Sequence, residues 1–163
     1  MSVAAPRKEV VNPGVSMRLA AAFIFERELA AMEKAEPGIV AGPDPKPLHD
    51  YRVALRRTRT ALRLFKDALP AAAYGDFRRR FRELSGPTGA LRDLDVHLDA
   101  RDKYAQRIPA KLRKYLAPTF ASLARRRDER RAELAAILSG SEYTDLKRDW
   151  RAAIRKLRYG EEF

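Results

Sequence analysis

The chain has 163 residues, 45% of them hydrophobic, and carries a formal net charge of +12 from 34 Lys and Arg against 22 Asp and Glu. That length suits one compact domain with its own core, and no apolar run approaches the roughly 18 residues that a membrane span needs. With no cysteine, a disulfide framework and thiolate metal ligation are excluded, and the N-terminus lacks the pattern of a secretory signal, so the expected location is the cytoplasm.

Residues 1–14 read as a tail. Residues 15–35 are rich in Ala and Leu, and Leu19, Ala22, Phe23, Glu26, Leu29 and Ala30 recur at helical spacing, which predicts a first helix burying that stripe. Four prolines and two glycines in residues 36–47 predict a loop. A second helix follows over about 47–69, then a turn bracketed by Pro70 and Gly75. Phe77, Phe81 and Leu84 mark one face of a third helix, which Ser85-Gly86-Pro87 breaks or kinks. Leu91, Leu94, Asp95 and Leu98 carry the helical spacing on to about 107. Pro109 and Pro118 mark the start and an early bend of a long helix to about Leu138. Ser141 is the expected cap of a last one. No segment alternates as a strand would. The expected fold is all-α: a four-helix antiparallel bundle over 15–140 with an additional C-terminal helix over 141–163.

The second helix is where charge and pattern meet. At about 100° per residue, Arg52, Arg56, Arg59 and Arg63 all fall within roughly 80° of His49 and form one stripe. Tyr51, Ala54, Leu55, Thr58, Ala61, Leu62, Phe65 and Leu69 make an apolar arc on the other side. The arginines follow one another at about 5 Å of axial rise, so they repel along a line of roughly 16 Å. A line of guanidinium groups matches an extended polyanion better than a single phosphate, which needs donors converging on one point. Arg57, beside the stripe, joins the expected binding set. The whole surplus charge lies beyond residue 47, where 28 basic residues face 16 acidic ones, as an anionic partner requires.

An internal repeat supplies a second stripe. Shifting the chain by 99 residues aligns residues 50–59, DYRVALRRTR, with residues 149–158, DWRAAIRKLR. Asp50 meets Asp149, Tyr51 meets Trp150, and Arg52, Arg56 and Arg59 meet Arg151, Arg155 and Arg158. Arg148 falls where His49 stands. Arg148, Arg151, Arg155 and Arg158 are therefore expected to form the other wall of a basic cleft.

These residues carry a family resemblance. His49 to Arg59, followed by GALRDLDVHL at 89–98, resembles the CHAD domain, the conserved histidine α-helical domain, over most of the chain from about residue 15. That family is built from two four-helix bundles related by an internal repeat, with a basic surface between them that binds inorganic polyphosphate. The resemblance implies that His49, Arg52, Arg56 and Arg59 line the anion site, and it adds polyphosphate granules as a place of residence. It also implies that residues 141–163 open an incomplete second bundle. The apolar face of that helix, with Trp150, Ile154 and Leu157, is then expected to lack core, and a homodimer through the same helix is expected to cover it.

Other candidates are weaker. Arg92 and Asp93 are expected to orient neighbouring arginines rather than serve acid/base chemistry. Asp93 and His97, spaced i, i+4, are read as a surface pair, with no metal expected. The basic run at 124–134 contains Asp128, Glu129 and Glu133 as local partners and is read as a solvated face. No nucleophile–base pair or phosphate-cradling Gly loop occurs, so catalysis and a cofactor are not expected. The leading expectation is non-catalytic polyphosphate binding. The alternatives are a nucleic-acid-binding helical protein, and an accessory domain for a phosphate-processing enzyme such as a triphosphate tunnel phosphatase.

Overall fold

The computed structural model describes residues 17–163, so the tail and the first two residues of the expected first helix lie outside the described residues. The chain is all-α: α1 (Met17–Ala41), α2 (Pro45–Leu64), α3 (Ala71–Asp99), α4 (Arg101–Arg107), α5 (Leu116–Ser139) and α6 (Ser141–Tyr159), with 3-10 turns at Lys66–Ala68 and Ala110–Tyr115.

Prolines account for most shifts in helix boundaries. Pro37 lies inside α1, which continues to Ala41, and α2 starts at Pro45, so most of the expected loop at 36–47 is helical. Proline breaks a helix by removing an interior N–H, but in the first turn that N–H has no partner to lose. Asp44 caps α2 by accepting a hydrogen bond from the Lys46 backbone N–H at 2.9 Å. α3 also runs unbroken through Ser85-Gly86-Pro87, with Pro87 well inside the helix rather than in its first turn. Ser141 does not cap α6: Gly140 is the capping residue and no side chain caps that end.

The buried face of α1 is Ala21, Ala22, Phe25, Glu28, Leu29, Met32, Ala35 and Ile39. Only Ala22 and Leu29 of the expected stripe belong to it; Leu19, Glu26 and Ala30 are exposed. By contrast, the expected apolar arc of α2 is the buried one, with Tyr51 and Thr58 fully covered and Phe65 packed at its edge.

Trp150 of α6 is fully buried, and its ring meets Phe25 of α1 at 4.6 Å and Phe77 and Phe81 of α3 at 4.6 and 5.1 Å. Ile154 and Leu157 belong to the same core as α1, α2 and α3. The apolar face of α6 is therefore covered within the chain, which corrects the expectation that it lacks core and removes the basis for a homodimer through it. The equivalent residues of the repeat, Tyr51 and Trp150, Ala54 and Ala153, Leu55 and Ile154, are all core residues of this one bundle. Ion pairs fasten α6 further: Arg80 of α3 bridges to Asp149 at 2.9 Å, and Lys147 bridges to Glu36 of α1 at 2.7 Å. Tyr143 donates to the same Glu36 and accepts from Tyr51 at 3.1 Å. Burial pushes both phenols up from their ordinary value.

The approach of α1 to α2 depends on Gly38. A Cβ there would stand 2.5 Å from Cγ and 2.8 Å from Cβ of Pro47, and a proline ring cannot swing aside. Gly38→Ala is expected to destabilise the fold by about 1–3 kcal/mol, because forced separation of the helices outweighs alanine's better helix propensity of about 1 kcal/mol. Urea denaturation checks this.

Candidate functional site: a basic groove between α2 and α3

Helices α2 and α3 pack side by side and run antiparallel, so that Arg52 meets Thr88 and Arg59 meets Ser85. A groove follows their seam. Its first section, of about 310 Å³, is lined by His49, Arg52, Arg56 and Arg59 from α2 and by Ser85, Thr88 and Arg92 from α3. The second, of about 190 Å³, shares Arg56 and Arg59 and adds Arg63, Arg78 and Arg82. Seven arginines thus line one continuous groove, and no carboxylate is among its lining residues.

The expected stripe is brought together as predicted for His49, Arg52, Arg56, Arg59 and Arg63. Asp50 turns away and pairs with Lys46 at 2.6 Å. Arg57 is exposed on α2 outside both sections. Arg92 lines the groove, whereas Asp93 is exposed and has no ion pair or hydrogen bond among the described residues, so it does not orient the groove arginines. His97 is exposed as well.

The second stripe lies elsewhere. Arg151 and Arg158 form ion pairs with Glu33 and Glu26 of α1, and Arg148 pairs with Asp145 at 2.6 Å and Asp149 at 3.0 Å. Arg155 lies 3.9 Å from Glu161. Arg151, Arg155 and Arg158 lie beside α1 and Arg148 is tied to carboxylates of its own helix, so none of the four lines the groove, and carboxylates already balance most of their charge. The opposite wall comes instead from α3. Arg78, Arg82, Ser85, Gly89 and Arg92 recur at i, i+4, i+7, i+11 and i+14, a stripe visible only when the helix is read through Pro87.

A larger cleft of about 810 Å³ lies between α3, α5 and α6, but Arg79 and Arg80 there pair with Asp76, Glu83 and Asp149. It has no unbalanced charge to draw an anion.

Asp95 of α3 is 3% exposed, and its Oδ2 has no hydrogen bond among the described residues. Burial holds its carboxyl above the ordinary carboxylate range, opposed by the nearby Arg131, Arg127 and Arg92. Part of the basic run of α5 therefore turns toward α3 rather than into solvent. The folded state binds this proton more tightly than the unfolded chain, so stability falls as pH rises from the ordinary value of about 4 through the raised one. Asp95→Asn is expected to raise the melting temperature modestly at pH 7, with the gain vanishing below about pH 4. Thermal melts at both pH values check the sign.

Among the described residues, no helix is long and apolar enough to cross a membrane, and no group of three or more metal-ligating side chains is assembled. A family model described as the CHAD domain matches residues 23–162, a span that takes in every groove residue named above. No curated protein matches the chain.

Proposed function

Because the chain belongs to the CHAD domain family, we propose that it binds inorganic polyphosphate, without hydrolysing it, along the α2–α3 groove. The observation that carries this reading is the groove's composition: guanidinium groups on both walls with no carboxylate to neutralise them. The α2 wall offers a cation every 5 Å or so along its helix, and Arg78, Arg82 and Arg92 of α3 add three more across the groove, two near one end and one near the other. Polyphosphate, whose phosphates are one bridging oxygen apart, matches this density. Nucleic acid spaces its phosphates a whole sugar apart, and proteins that hold single strands add aromatic platforms for the bases, which the groove lacks.

Repulsion among the arginines opposes folding, and a bound polyanion relieves it, so polyphosphate should raise thermal stability. We place this binding in the cytoplasm, at polyphosphate granules. The test is competition: labelled long-chain polyphosphate is displaced by unlabelled polyphosphate, single-stranded DNA or RNA at matched charge. Displacement by polyphosphate at far lower concentration supports the reading. Equal displacement by nucleic acid favours a general polyanion site, and an absence of polyphosphate binding overturns it.

A further inference from the structure

The internal repeat contains its own control for how an arginine is held. Arg52 and Arg151 are equivalent in the repeat, as are Arg59 and Arg158, yet their partners differ in charge. Arg151 and Arg158 pair with the carboxylates of Glu33 and Glu26. Arg59 Nη1 donates to Ser85 Oγ at 2.8 Å, and Arg52 Nη1 lies 3.4 Å from Thr88 Oγ1.

Each of these hydroxyls has a single proton, and each commits it to the backbone one turn earlier. Ser85 Oγ donates to Phe81 O at 3.0 Å and Thr88 Oγ1 donates to Leu84 O at 2.9 Å. Their oxygens are left as acceptors toward the groove. Thr88 is fully buried, and β-branching restricts its rotamer. The Arg52 guanidinium also lies against the helix backbone, since a Cβ on Gly89 would stand 3.2 Å from Nη1.

We infer that Ser85 and Thr88 are positioning residues, neutral acceptors that hold the Arg59 and Arg52 guanidinium groups in place while leaving their charge available to a polyanion. A carboxylate would hold the same arginines more tightly but would compete with the ligand, as on α6. The inference rests on the polyphosphate reading for its purpose, though not for its geometry. Preorganising two long side chains spares the ligand their ordering entropy.

The experiment combines arginine side-chain NMR of the free protein with polyphosphate titrations at several salt concentrations. In Ser85→Ala/Thr88→Val the positive charge is intact, so the slope of log affinity against log salt should stay unchanged while affinity drops about tenfold. Resolved guanidinium signals of Arg52 and Arg59 should collapse to the averaged form of a free side chain. Ser85→Thr should restore Arg59. Ser85→Asp should instead keep the Arg59 signal resolved but flatten the salt slope by about one, because an internal carboxylate now neutralises one groove charge. Ser85→Ala alone, at a half-buried position, serves if the double variant does not fold. Unchanged guanidinium signals in the alanine variant overturn the inference whether or not the protein binds polyphosphate. Wild-type protein that shows the held arginines but binds no polyphosphate overturns the functional reading alone.

Discussion

Replacing Arg52, Arg56 and Arg59 together by glutamate is expected to lower polyphosphate affinity by about a thousandfold or more, since three charge-assisted contacts of about 1.5–3 kcal/mol each are replaced by repulsion. All three side chains point away from the apolar arc of α2, so helical content should be unchanged. Stability should not fall either. New carboxylates opposite Arg78, Arg82 and Arg92 remove like-charge repulsion across the groove, so the variant that loses binding is expected to melt at the same temperature as wild type or higher. The informative control is Arg151→Gln/Arg155→Gln/Arg158→Gln on α6. Those arginines are largely balanced by acidic partners, so their loss should change affinity by only a few-fold. Fluorescence polarisation with labelled polyphosphate, beside circular dichroism melts, measures both effects. Because the groove variant changes the net charge by about six units and the α6 variant by about three, a logarithmic loss in the α6 variant of half that in the groove variant or more would mean that the ligand follows net charge rather than the groove.

Trp150→Ala is expected to cost about 3–5 kcal/mol, the range for removing a large aromatic side chain from a packed core, out of a total stability of about 5–15 kcal/mol. Trp150 touches rings from both α1 and α3, and the cavity left behind would open the centre of the bundle. Urea unfolding followed by circular dichroism measures it. A loss under about 1 kcal/mol would mean that α6 is only loosely docked.

How much of this was legible in the sequence depends on whether one helix carried the whole signal. The α2 stripe was legible because its outward arginines and inward apolar residues lie on a single uninterrupted helix, where both periodicities can be read at once. The buried face of α1 was not. Its alanine-rich run offers little contrast between neighbouring faces, and only packing against α2 and α6 selects the face centred on Phe25 and Met32. The second wall of the groove was hidden by Pro87. Reading a helix break there separates Arg78 and Arg82 from Arg92, although all three lie along one side of a continuous α3.

The two repeats pose a different limit. At the level of sequence, Arg52 and Arg59 cannot be told from Arg151 and Arg158. What separates them is supplied by residues far away in the chain: Ser85 and Thr88 in one case, Glu33 and Glu26 in the other. An apolar face in turn tells that something covers it but not what: the pattern of Trp150, Ile154 and Leu157 is equally compatible with a second copy and with the cover that α1 and α3 supply.

The most direct test of the groove as the binding site is an NMR titration of the arginine side chains with polyphosphate of defined length. The largest shifts are expected on Arg52, Arg56, Arg59, Arg63, Arg78, Arg82 and Arg92, with those of Arg151 and Arg158 nearly unmoved. Shifts concentrated on the α6 arginines, or spread evenly over all arginines in proportion to exposure, would contradict this expectation.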